Sequence, residues 1–110
     1  MRHGTTEMNV YLSTSPFGSP GFQDPLLYDT RLTPAGVRGA QQAAARAARL
    51  APPPQLLVVS PLSRALHTAA LAFGEDPGCP VVVEPLWRER LYLSSDCGRA
   101  PALLAADFPQ

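Results

Sequence analysis

An α/β fold is predicted by three observations. A helix opens cleanly at Thr33-Pro34, an apolar run Leu56-Leu57-Val58-Val59 reads as a strand, and a second run, Val81-Val82-Val83, follows it across a helical stretch. Strand, helix and strand in that order, with turns between them, argue for α/β architecture.

The elements follow in chain order. Ser13 to Pro25 is rich in Ser, Pro and Gly and reads as a loop, since Pro16, Gly18, Pro20 and Gly21 do not suit a helix interior. From Thr33 to about Leu50 the residues are strong helix formers. Thr33 suits the cap and Pro34 the first helical position. Val37, Ala40, Ala44, Ala47 and Ala48 fall near one face, opposite Arg38, Gln42, Arg46 and Arg49, which makes a thin apolar stripe able to lie close on a neighbour. Pro52-Pro53-Pro54 ends this helix, and Leu56 to Val59 then reads as a short, fully buried strand. A second helix is expected from about Leu62 to Phe73, with Leu66, Ala69, Ala70 and Phe73 at core spacing. Gly74 to Gly78 is a turn, Val81 to Val83 another buried strand, and Pro101 to about Asp107 a short final helix. No internal repeat is visible.

Composition narrows the function classes. The 110 residues suit one modest core. Nine basic and nine acidic residues give zero net charge without runs of either sign, so nothing recommends a nucleic-acid or membrane-surface partner. The four-residue aliphatic run at Leu56 is far short of the ~20 residues a membrane span needs. Cys79 and Cys97 lack metal-ligand spacing and read as reduced thiols, with a disulfide left open. No targeting segment precedes Arg2, and the compartment stays open between cytoplasm and chloroplast.

Two segments carry chemistry. The chain opens Arg2-His3-Gly4-Thr5-Thr6-Glu7-Met8-Asn9, and the first predicted strand ends in Ser60-Pro61-Leu62-Ser63-Arg64-Ala65, with Thr68-Ala69 beyond. A neutral imidazole can attack phosphorus, and neighbouring guanidinium groups disfavour its protonation. The planar forks of Arg2 and Arg64 match phosphate oxygens in paired hydrogen bonds.

Together these segments resemble the histidine phosphatase, or phosphoglycerate mutase-like, superfamily. There an Arg-His-Gly turn supplies a nucleophilic histidine and a Ser-Pro-Leu-x-Arg-Ala turn a second phosphate-binding arginine. Thr6, Glu7 and Asn9 extend the first match, and Thr30 to Gly36 resembles the family's Leu-Thr-x-x-Gly segment, with Gly39-Ala40 where relatives often have Gln-Ala. The resemblance implies a phosphoglycerate mutase-like three-layer α/β/α sandwich, incomplete in this chain. It implies His3 as nucleophile, Arg2, Asn9 and Arg64 as phosphate ligands, and Glu89, in Leu86-Trp87-Arg88-Glu89, as acid and base. Glu7 and Glu84 are alternative carboxylates, and His67 is read as structural.

The activity implied is metal-independent, cofactor-free cleavage or transfer of a small phosphomonoester through a phosphohistidine. Phosphatase and mutase stay unseparated, as do the substrate's identity and the oligomeric state. The segments Met8 to Ser13, Asp24 to Asp29 and Arg88 to Asp96 look like a plant or algal subgroup. Against the family pattern, the strand before Arg2 is reduced to Met1, and of the two histidines neither falls late in the chain. Residues 1–110 are therefore expected to form a partial domain, truncated at both ends, with a weakly supported nucleophile. The alternative is a noncatalytic remnant of the same fold that binds phosphorylated ligands or a partner.

Overall fold

The computed structural model describes residues 1–109. Helix α1 (Glu7–Thr14) is followed by α2 (Pro34–Ala47), strand β1 (Leu57–Val59), α3 (Ser63–Phe73), strand β2 (Val81–Val83) and α4 (Pro101–Asp107), with 3-10 turns at Pro85–Trp87 and Ser94–Asp96. β1 and β2 pair in parallel, Leu57 opposite Val81 and Val59 opposite Val83, within the α/β order expected. These elements are those of an α/β phosphoglycerate mutase-like fold, partial in 110 residues.

Helix α2 forms as expected: Thr33 Oγ1 accepts the Gly36 amide, with Pro34 at the first position. Of its buried positions, Ala40 lies on the predicted stripe and Gly36 one turn before it, and these small residues let α2 pack closely against α3. Helix α1 falls where no helix is predicted. Its start is nevertheless encoded locally, because Thr6 Oγ1 accepts the Asn9 amide while Asn9 Oδ1 accepts the Thr6 amide, a reciprocal cap.

Three expectations about burial are corrected. Val81, Val82 and Val83 are 50, 44 and 47 % exposed, so β2 is a surface strand. In β1 only Val59 is buried, and Leu56 lies outside the strand and exposed. In α3 the buried residues are Ser63, Arg64, Thr68 and Ala72, whereas the predicted stripe of Leu66, Ala69, Ala70 and Phe73 is half-buried and lines an open apolar groove with Leu57, Val83, Leu104 and Phe108. With only two strands in the sheet, few neighbours are present to cover them among the described residues. What α3 packs inward instead is its polar edge, whose groups are satisfied one by one.

The fold closes where the opening segment meets α2. A side-chain carbon added to Gly4 would stand 2.6 Å from the Gly36 carbonyl oxygen, and one added to Gly36 would strike the Thr5 carbonyl. Two bare backbones therefore lie against each other. Thr5 O accepts from the Thr33 amide and hydroxyl, the Glu7 amide donates to Arg31 O, and the Met8 amide to Thr30 Oγ1. The radius of gyration, 14.8 Å, exceeds the ~13 Å of a compact domain of about this length, in keeping with the thin core.

Replacing Gly36 by alanine should therefore lower the urea midpoint by about 1–3 kcal/mol of stability through overpacking. Gly39→Ala, on the same helix with nothing near its added carbon, should raise it by about 0.5–1 kcal/mol. Equal effects at the two positions would show that the backbone approach does not govern stability.

Candidate active site

The opening segment and the β1-to-α3 turn are joined by one side chain. Thr68 Oγ1 donates to the Arg64 carbonyl one turn back at 2.7 Å and accepts the Gly4 amide at 3.1 Å. Thr68 thus fixes the residue after His3 to the helix that carries Arg64. The segment after His3 is held further by Thr33, Arg31 and Thr30.

His3 is half-buried, and its Nδ1 stands 2.7 Å from its neighbour's carbonyl, Gly4 O. A carbonyl only accepts, so Nδ1 carries the proton and Nε2 holds the free lone pair. Burial lowers the His3 pKa below 6.5. Arg64 and Arg2 push the same way, against the Gly4 hydrogen bond and the Glu89 carboxylate. Desolvation is the largest cause, ahead of the guanidinium charges that the sequence suggests.

Arg64 is only 6 % exposed. One terminal nitrogen donates to Ser95 O at 2.7 Å and the other to Asp96 Oδ1 at 3.1 Å. Asp96 Oδ2 accepts the Tyr92 and Leu93 amides, so the same carboxylate orients Arg64 and folds the 92–96 loop. That loop is held at its other end by Asp24, which accepts the Ser94 amide and hydroxyl; these bonds lower the Asp24 pKa. Asn9 spends its side-chain oxygen on the α1 cap, and its amide nitrogen is not part of that cap.

Asp29 completes the frame. No side chain at Leu62 caps α3, and Asp29 Oδ1, from far upstream, accepts the Ser63 amide at 2.8 Å. Its other oxygen accepts the Ser63 hydroxyl and Arg99 Nε, and Arg99 continues to Asp107. Asp29 is 1 % exposed and held at φ 44°, a left-handed conformation that aspartate tolerates better than most residues.

Arg2, His3, Asn9, Arg64 and Glu89 all line one cavity of about 330 Å³. Glu89 sits on its exposed rim, whereas Glu84 caps the Pro85–Trp87 turn and Glu7 lies in the first turn of α1, both outside the lining. His67 faces away, its ring 6.2 Å from that of Phe108. Cys79 and Cys97 are free thiols. Among the described residues no three His, Cys, Asp or Glu side chains cluster as a metal site, and no helix is long and apolar enough to cross a membrane.

Sequence reasoning missed Asp24, Asp29 and Asp96 as supports. The groups they hold across the fold, Ser94, Ser63 and Arg64, are distant in the chain, so no local pattern marks those contacts.

The family model described as histidine phosphatase superfamily (branch 1) matches residues 1–110. A search of curated proteins returned no match.

Two measurements test the frame. Thr68→Val removes the Gly4 anchor at nearly constant volume and should cost about 1–3 kcal/mol, with Thr68→Ser recovering most of it; equal urea midpoints for parent and Thr68→Val would refute the anchor. Arg2→Ala, at an exposed position, should raise the His3 pKa toward 6.5 in an imidazole NMR titration. Because the folded-state pKa is depressed, the His3 contribution to stability is complete above 6.5 and is lost as pH falls through the folded value. A His3 pKa at or above 6.5 in the parent would contradict the burial effect.

Proposed function

The chain belongs to the histidine phosphatase superfamily, which supports a phosphatase or mutase-like function at the family level, and on that premise we propose that it cleaves small phosphomonoesters through a phosphohistidine. The observation that carries this reading is the convergence of a histidine with a free Nε2, two arginines, an asparagine amide and a carboxylate on one cavity.

In the first step Nε2 of His3 attacks phosphorus in line while the bond to the leaving oxygen breaks. Nδ1 keeps its proton on Gly4 O, so the cationic phosphoimidazole that forms is stabilised as it develops. Arg2, Arg64 and the Asn9 amide hold the equatorial oxygens, supplying the positive charge the transition state needs. Glu89, entering in its acid form, gives its proton to the departing oxygen. In the second step its carboxylate takes a proton from water as the water oxygen attacks phosphorus. The N–P bond breaks, phosphate leaves and His3 returns neutral. Transfer to an acceptor hydroxyl in place of water would make the same chemistry a mutase reaction.

Phosphate release from an aryl phosphate, followed from mildly acidic to neutral pH, tests the proposal. Turnover should vanish in His3→Ala, and Glu89→Gln should lower kcat by about 10²–10⁴-fold. An acid-labile, base-stable phosphoryl group should be trapped on His3 after a rapid quench. Binding of phosphate without turnover would favour the noncatalytic reading instead.

A further inference from the structure

The cavity lining is of two kinds. Beside the polar groups of Arg2, His3, Asn9 and Arg64, with Glu89, Ser95 and Asp96, it presents an apolar share made by Met8, Leu12, Phe17, Tyr92 and Leu93, and its two threonines already accept backbone amides. The Phe17 ring is set in place before any ligand arrives. It meets Phe22 edge-on at 5.5 Å and 82°, Phe22 meets Tyr11 at 6.2 Å, and the Tyr11 hydroxyl donates to Gln23 O at 2.7 Å. Across the opening, the Tyr92 backbone is held by the Asp96 carboxylate that orients Arg64. The loop presenting the second ring and the arginine that would bind phosphate are therefore fixed by one group.

Charge points the same way. The cations lining this cavity are Arg2 and Arg64, and Arg64 already shares its charge with Asp96. Glu89 and Asp96 are the acidic groups of the lining. A phosphoryl group uses both guanidinium groups, so a second anion on the substrate would find no further cation in the lining.

We propose that this cavity selects phosphomonoesters whose leaving group is a flat apolar or aromatic ring, seated between Phe17 and Tyr92, and disfavours those bearing a carboxylate beside the phosphoryl group. Both side chains are more than half exposed without ligand, leaving their faces available for stacking. The cavity volume, about 330 Å³, suits a single ring with its phosphate. The selectivity refines the proposed hydrolysis, which it takes as the reaction, but its binding half stands apart from turnover.

Non-hydrolysable probes separate the two. Phenylphosphonate, methylphosphonate and phosphonoacetate are titrated into the unmodified chain by calorimetry. Phenylphosphonate should bind at least about tenfold more tightly than methylphosphonate, the scale of one aromatic contact. Phosphonoacetate should bind no more tightly than methylphosphonate. Phe17→Ala and Tyr92→Ala should each remove most of the phenyl advantage and leave methylphosphonate affinity unchanged. Equal affinity for phenyl and methyl probes, a preference for phosphonoacetate, or no binding of any probe overturns the proposal. If the ranking holds while an aryl phosphate is not hydrolysed, the selectivity is supported and the hydrolytic reading alone fails.

Discussion

Everything near the site depends on two backbones touching where side chains would not fit. Gly4 and Gly36 bring the turn after His3 against the first turn of α2, and neither position has room for a Cβ. That approach puts Thr5 O within reach of Thr33, which at once caps α2 and holds the opening segment. It also places the Gly4 amide on Thr68, and so ties His3 to α3 and Arg64. A loose contact at Gly36 would free the histidine, the α2 cap and the link between the two motifs together.

Around that contact the loops are fixed by carboxylates rather than by apolar packing. Asp24 holds Ser94, Asp96 folds the 92–96 loop and pairs with Arg64, and Asp29 caps α3 while binding Arg99. Every buried side-chain polar atom among the described residues has a partner, which makes so polar an interior tolerable. The buried Arg64–Asp96 pair is weak evidence for net stability, since desolvation opposes its attraction. Its clearer contribution is orientation. The exposed Arg31–Asp107 pair adds little by comparison.

The apolar core is correspondingly slight: Met8, Leu32, Ala40, Val59, Leu62, Ala72 and Leu104. Two of these are alanines, which contribute little burial but permit close helix packing. Meanwhile Leu86, Trp87 and all of β2 stay open to solvent. The site is thus assembled by hydrogen bonds and ion pairs on a thin hydrophobic base, and its geometry is more sensitive to the loss of one polar partner than to trimming one aliphatic side chain.

Local signals alone determined much of this protein. Thr33-Pro34 and the alanine-rich stretch fixed α2, two short apolar runs flanking a helix marked an α/β fold, and the motifs around His3 and Arg64 pointed to the family. The Thr6–Asn9 cap was also legible, although loop-forming residues downstream obscured the helix it starts. Periodicity could not say which face of α3 would be buried. The pattern favoured Leu66 and Phe73, but the inward edge carries Ser63, Arg64 and Thr68, because Asp29, Asp96 and Gly4 arrive from elsewhere in the chain to satisfy them. Burial of a strand is likewise a property of its neighbours, so Val81 to Val83 kept their pairing and lost their expected cover. The tertiary structure decided those matters, since a hydrogen bond between residues more than thirty positions apart leaves no periodic trace in the sequence.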